Sequence, residues 1–349
     1  MIQKLCETFR FADLLNHAAK EPNPQIRLAY VAAFCVCGYN LHIHRLTKFF
    51  NPILGETFEY TDNKLNFRYI GEQVSHHPAI TAMHCEGDGY IIYANTNAKA
   101  KFNLFENSLE IEPIGRTCVT FFNFDDEFIT ITKPNNVVRN IMFGAMYVEV
   151  IGKSVITNHH TGDTIELTFH DKGGPSKSDF GYIDGFLRSI HSETEQMKFI
   201  ANWNSAHFDL KYKDENNNEI QKTIWKVDPI TLTQEELEAR YYMSDFTLNL
   251  NNDDEKLLKS LPRSDTRLRP DQRALERNDF ELAAKEKHRL EEKQRAMRKY
   301  EAKNNIFYKP LYFTETYDDI TGELTYLLSR NYWEDKKNNN LDHFPDIFS

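Results

Sequence analysis

Long hydrophobic runs, cysteine pairs and an excess of positive charge are all missing from this chain of 349 residues. No stretch reaches the roughly 20 apolar residues that a membrane-spanning helix needs. Glu7, Arg10 and Asp13 interrupt the first apolar positions, so a signal-peptide layout is not expected. The five cysteines, Cys6, Cys35, Cys37, Cys85 and Cys118, form no CxxC pair and no disulfide-like spacing. They read as small hydrophobes in a reducing compartment. A net charge of -10 argues against a nucleic-acid partner, whose phosphates call for a basic surface. A cytoplasmic protein whose membrane contact is peripheral is expected.

What is present suffices for a core: 40% of residues are hydrophobic and 13% aromatic. Ile2, Leu5, Phe9 and Ala12 fall at helical spacing, and Glu21-Pro22-Asn23-Pro24 breaks that pattern. The apolar run from Ile26 to Cys37 predicts a second helix stopping at Gly38. From about residue 60 to 250 the period becomes two. Phe102/Leu104, Leu109/Ile111, Met146/Val148/Val150 and Ile165/Leu167/Phe169 alternate with polar residues. Turn signals recur at Glu86-Gly87-Asp88-Gly89, Glu106-Asn107, Ile151-Gly152-Lys153 and His160-Thr161-Gly162-Asp163. Many short strands at regular spacing favour a large antiparallel barrel or meander over a βαβ sheet. Asp271 to Lys303 contains no Gly or Pro and predicts one long exposed helix. Tyr308 to Trp333 regains strand character. With no repeat or linker in view, residues 1–349 are expected to form one domain: helices over 1–50, a barrel over 51–270 and a helical segment over 271–349.

Three local features carry chemistry. In Glu72-Gln73-Val74-Ser75-His76-His77-Pro78, adjacent histidines on a regular strand would face opposite ways. An irregular segment before Pro78 would let both imidazoles meet one anion, which favours their charged form. A hydrogen-bonded structural pair fits the same spacing. Upstream, Lys48 to Thr57 carries the turn-forming steps Asn51-Pro52 and Leu54-Gly55, which would expose amides to an anion or simply form a surface loop, the simpler reading of it alone. Downstream, Lys287, Glu291 and Arg295 share one helical face, and Glu291 to Arg295 is a favourable (i, i+4) pair. The segment Lys285 to Lys299 holds seven Lys/Arg against three Glu, a basic island in an acidic chain. In isolation a solvated, ion-paired helix face is the simpler reading of it. Zinc held by His42, His44, His76 and His77, for a hydrolase, is a further alternative.

Taken together, these segments resemble the lipid-transfer domain of the oxysterol-binding-protein family. The resemblance rests on Glu72 to Pro78, on Asn51-Pro52-Ile53-Leu54-Gly55-Glu56-Thr57-Phe58-Glu59 and on Asp265-Thr266-Arg267-Leu268-Arg269-Pro270-Asp271. It extends to Leu290-Glu291-Glu292-Lys293-Gln294-Arg295, with fainter matches at Lys133-Pro134, Asn140 to Gly144 and Tyr332-Trp333-Glu334. It implies a mainly β fold, a large incomplete antiparallel β-barrel around an apolar lipid tunnel, flanked by N-terminal helices and a long C-terminal helical segment.

It also implies a function. The headgroup of phosphatidylinositol 4-phosphate would be held by Lys48, Asn51, His76, His77, Lys287, Glu291 and Arg295. The lipid is then exchanged between membranes for a second cargo, sterol or phosphatidylserine. The chain would be a monomeric carrier rather than an enzyme, with no cofactor beyond the lipid itself, working at organelle membranes or membrane contact sites. A phosphoinositide sensor or scaffold that moves no lipid is the alternative within this reading. Two departures from the family pattern stand out. Ala79 replaces the second proline of the histidine motif, so a less rigid exit from it is expected. Met1 aligns within the family's first conserved helix, so the lid segment that precedes that helix is expected to be absent.

Overall fold

The computed structural model describes residues 1–43, 45–46, 50–192, 195–214, 216–227, 232–341 and 344–349. The N-terminal helical pattern resolves into α1 (Ile2–Cys6), a 3-10 turn and α2 (Asp13–Ala18). Helix α3 (Pro24–Cys37) begins where Asn23 accepts hydrogen bonds from the amides of Gln25 and Ile26, with Pro24 at its first position. It ends at Cys37, as its apolar run predicts. Gly38 is no left-handed stop, however: its φ is -59° and the chain tightens into a 3-10 turn through His42. Helix α3 is buried nearly all round, as a core helix must be.

The strands follow in short hairpins: β1 (Thr57–Asp62), β2 (Phe67–His76), β3 (Ala79–Gly87), β4 (Tyr90–Asn103) and β5 (Ser108–Ile114). Next come β6 (Thr117–Phe121), β7 (Glu127–Ile131), β8 (Asn135–Arg139), β9 (Tyr147–Asn158) and β10 (Thr164–Phe169). The series closes with β11 (Tyr182–Arg188), β12 (Glu195–Asn202), β13 (His207–Lys213) and β14 (Glu219–Lys226). All pair antiparallel in one 14-stranded sheet, β1-β2-β3-β4-β5-β8-β9-β10-β11-β12-β13-β14, with β6 and β7 forming a second bridge from β4 to β9. Helix α1 packs on β1 and β2 at one edge, and α3 packs on β13 and β14 at the other. The helices thereby close the gap between the two edges, and the sheet is a large incomplete barrel. The main core lies between them, with Phe9, Leu28, Val31, Tyr69, Ile156 and Phe208 almost fully buried.

Several boundaries differ from the sequence reading for identifiable reasons. Ile151-Gly152-Lys153 is no turn: it lies inside β9, where Gly152 at φ +99° kinks the strand between β8 and β7. Leu104 and Met146 fall in loops beside the strands that their neighbours form. The sheet stops at Lys226, not near 250. Beyond it stand three short helices, α4 (Gln234–Ala239), α5 (Asp245–Leu250) and α6 (Glu255–Lys259), each capped by a side chain from Thr233, Ser244 or Asp254. The expected long helix is two: α7 (Pro270–Glu276) and α8 (Phe280–Asn304). They part at Asn278, left-handed at φ +59°, after which Asp279 caps α8 by accepting from the Leu282 amide. A second hairpin, β15 (Phe313–Tyr317) and β16 (Leu324–Leu328), precedes α9 (Tyr332–Lys337). Tyr332 and Trp333 are therefore helical rather than strand-like.

Candidate functional site

Strand β2 has two covered faces. Phe67 and Tyr69 look into the main core, while Ile70 and Val74 pack with Tyr312, Phe313 and Tyr326 of the C-terminal segment. Glu72 lies on that second face with no exposure, and accepts hydrogen bonds from the Tyr308 hydroxyl and the Leu311 and Tyr312 amides. Burial pushes its carboxyl above the ordinary range, and the amide donors work against that rise. The carboxylate therefore acts as a clip holding the C-terminal segment against the strand.

Past Glu72 the regular ladder fails. A register shift between Gln73 and Ser75 re-aims the strand end, and the His77–Pro78 peptide is cis. The two imidazoles do come together, their ring centroids 4.7 Å apart in an edge-on contact. His76 is half-buried and His77 exposed. Strand β3 begins at Ala79, whose backbone lies opposite His76, so the hairpin closes without a second proline.

A single side chain joins this hairpin to the other two motifs. Gln294 of α8 accepts the Leu54 amide at 2.8 Å through Oε1, and its Nε2 lies 2.8 Å from His76 Nε2. The Leu54 amide fixes which end of the Gln294 amide is which. His76 Nε2 must then accept, so the neutral ring carries its proton on Nδ1, an atom buried without a hydrogen-bond partner. Burial holds His76 below the ordinary imidazole value, and the nearby His77 and Arg298 add to the depression. Protonating His76 requires the Gln294 bridge to let go, a step that an incoming anion would drive.

The loop bearing Leu54 is itself fixed from below. The Gly55 amide donates to the Gln73 carbonyl and the Gln73 amide to the Glu56 carbonyl. Arg269 reaches the Asn51 carbonyl at 2.8 Å and Glu56 at 2.8 Å, and pairs with Asp271 at 2.8 and 3.0 Å. Arg267 pairs with Asp265 at 2.8 Å and with Glu59 at 3.3 Å. Burial alone would lower both guanidiniums, but these carboxylates outweigh it and raise both. The Asp265 to Asp271 motif is thus a buried, fully paired frame rather than part of the site surface. Ile53, Leu290 and Phe348 form a small apolar cluster that seats α8 against the same loop.

On α8, Lys287 pairs with Glu291 at 2.7 Å, and that hydrogen bond holds the Glu291 carboxyl below its usual range. The expected Glu291–Arg295 pair is not formed: Arg295 turns to Glu292 at 2.5 Å. Lys287 also lies 5.9 Å from the centre of the Phe50 ring, which brings it over the loop. Asn51 is exposed at the loop's surface. His76, His77 and the Asn51 loop therefore meet α8 along the side that carries Lys287 and Glu291, while Arg295 stands on its outer edge. Lys48 lies outside the described residues. Gln294 and Arg298 join the cluster although their residue types pointed to no role. Their spacing did carry a signal, because 287, 291, 294 and 298 mark one helical stripe.

Among the described residues no three His, Cys, Asp or Glu side chains converge for a metal, and His44 lies outside them. Two surface cavities, of about 640 and 470 Å³, lie elsewhere, lined by His159, His160 and His191 in one and by His84, Tyr90 and Arg330 in the other. None of the residues predicted for the anion site lines either. No helix among the described residues is long and apolar enough to cross a membrane.

Known proteins share both the sequence and this architecture. The family model "Oxysterol-binding protein" matches residues 1–337. Oxysterol-binding protein homolog 2 of Saccharomyces cerevisiae is 32% identical over 100% of this chain and 28% of its own length. Human oxysterol-binding protein-related protein 1 is 31% identical over 99% of this chain and 39% of its own length. The chain thus spans well under half of these relatives. Among solved structures, the Osh1 ORD domain in complex with ergosterol superposes with a TM-score of 0.89 and 32% identity, covering 100% of this chain and 84% of that one. The Osh3 ORD in complex with PI(4)P from Saccharomyces cerevisiae superposes with a TM-score of 0.80 and 27% identity, covering 99% and 87%. The chain belongs to the oxysterol-binding protein family, a family of lipid-binding proteins, and has the fold of its ORD domains.

Proposed function

We propose that residues 1–349 act as one lipid-carrying unit that binds phosphatidylinositol 4-phosphate and exchanges it between membranes for a second lipid, sterol or phosphatidylserine. The observation that carries this reading is the Gln294 bridge. It draws the histidine hairpin, the Asn51 loop and the cationic side of α8 into one place. His76, His77, Lys48, Lys287 and Arg295 supply positive charge and donors for a phosphomonoester. Asn51 adds a polar contact, and Glu291 orients Lys287. The relatives solved with sterol and with PI(4)P support both cargo classes.

Energetics favour a carrier with an apolar tunnel. A diacyl lipid exposes about thirty methylenes at about 0.8 kcal/mol each, so its passage through water needs an apolar enclosure. The protein works as a monomeric carrier rather than a catalyst, in the cytoplasm and peripherally at organelle membranes. Its acidic remainder favours release from anionic surfaces. Fluorescent phosphatidylinositol 4-phosphate in donor vesicles tests the reading. The wild type should move it to acceptor vesicles, and His76→Ala with His77→Ala should stop that movement without unfolding the protein. Binding to donor vesicles with no lipid carried away would make the chain a sensor instead.

A further inference from the structure

The sheet forks at its middle. Strand β4 pairs with β6 over Tyr90 to Ala94 and then with β5 over Asn97 to Asn103, while β9 passes from β8 to β7 beyond Gly152. The β5–β8 branch ends in two loops stitched together by Asn107, which is 5% exposed. Its side chain donates to the Phe143 carbonyl and accepts from the Met142 amide, both at 2.8 Å, and its carbonyl accepts from the Ile141 amide at 3.2 Å. A buried polar staple thus holds an apolar set outward. Phe105 is 103% exposed, Phe143 70% and Leu104 65%, and Phe102, Met142 and Met146 beside them are also exposed. A contiguous apolar patch of this kind marks an interaction surface.

Position identifies the partner. Thr81 of β3 lies opposite Thr96 of β4. Two residues lead from Thr81 back to Ala79 at the histidine hairpin, and seven lead from Thr96 forward to Asn103 at the tip, in the same direction. The tip therefore reaches roughly 15 Å beyond the hairpin. Its side chains stand on loop ends rather than lining a groove, a shape suited to a fluid acyl region. Exposed Lys99 and Lys101 flank it on β4, at the height where lipid phosphates would lie.

We propose that the β4–β5 tip and the 141–146 loop insert into the membrane from which lipid is taken, and so set the histidine hairpin at headgroup height. Insertion by about 5–10 Å would leave the hairpin just outside the acyl boundary. The inference rests on the lipid-handling reading above, but its test contains no phosphoinositide. Flotation with vesicles of phosphatidylcholine and phosphatidylserine should show binding by the wild type. Phe105→Asp with Phe143→Asp should weaken it by about tenfold per residue. Ile190→Asp, at the opposite end of the barrel beyond β11, should leave it unchanged. In Phe105→Trp, emission should shift blue and be quenched by brominated acyl chains. Wild-type binding by the tip variant would overturn the proposal, as would a wild type that ignores these vesicles. A dimer that the tip variant dissolves would overturn it too, assigning the patch to a second copy. Binding of the soluble headgroup reports on the proposed function independently, and the tip variant should retain it.

Discussion

Two neighbouring clusters of charge are built in opposite ways. Around Arg267 and Arg269 the charges are paired: Asp265, Asp271, Glu56 and Glu59 surround two guanidiniums almost without exposure, and the partly exposed Lys336 adds a third cation on Glu59. Around His76 the balance is unequal and half open to water. His76 feels the charges of His77 and Arg298, while Lys287 and Arg295 lie on α8 paired only with the exposed Glu291 and Glu292. A satisfied buried network specifies geometry and asks for nothing further. A half-exposed surplus of donors, with one ring nitrogen orphaned, leaves room for a partner from outside, which the proposed function takes to be an anion. Both clusters belong to motifs of the family, yet one builds the frame and the other uses it.

Breaking the frame should have the largest effect. Arg269→Met removes one partner from a buried network and leaves Glu56 and Asp271 uncompensated. It should cost about 3–5 kcal/mol in denaturant unfolding, and headgroup binding should fall with it because the Asn51 loop loses its anchor. A near-neutral result would mean that the network contributes no specificity to the loop.

Altering the Gln294 bridge should have an intermediate effect. Gln294→Glu replaces the amide donor facing His76 Nε2 by a carboxylate, which favours the charged ring. The His76 titration, read by proton NMR, should begin below the ordinary 6.5 in the wild type and rise by about one pH unit or more in the variant. A depressed histidine lets the unfolded chain bind more protons, so its contribution to stability is complete above 6.5 and is lost as pH falls toward the folded value. Anion binding has the opposite dependence: it takes up a proton at His76, so affinity gains from acidification over that same window. The smallest effect belongs to the exposed pair. Lys287→Ala should change stability by no more than about 0.5 kcal/mol, because exposed (i, i+4) pairs contribute little. Its effect on headgroup affinity should be several times larger, and the contrast between the two is the informative result.

Much of this was legible in the sequence where local chemistry decides. Helix α3, the hairpin turns at Glu86–Gly89 and at His160–Asp163, and the irregular histidine segment before Pro78 follow from apolar period, turn residues and the limits proline imposes. The fold class followed from strand spacing and from the family motifs together. Elements set by long-range contact were not legible. Gly152 reads as a turn locally, and only the change of partner from β8 to β7 explains a kink in mid-strand. Asn278 divides the C-terminal helix by a left-handed conformation that no Gly or Pro announces. Residues 234–250 form two capped helices inside the region, to about 250, where strands were expected. At the site, the histidines stood out by identity, but the role of Gln294 depends on Leu54 and His76, which lie more than two hundred positions away in sequence.

On the proposed function, the open cluster binds a phosphomonoester headgroup while the buried one only supports it. Calorimetric titration of soluble glycerophosphoinositol 4-phosphate into the wild type and into His76→Ala with His77→Ala measures this directly, with unfolding curves recorded on the same samples. Saturable binding by the wild type, weakened at least about a hundredfold in the variant as two charge-assisted contacts are lost, with superimposable unfolding, is the expected result. Equal affinity in the two proteins would contradict the account.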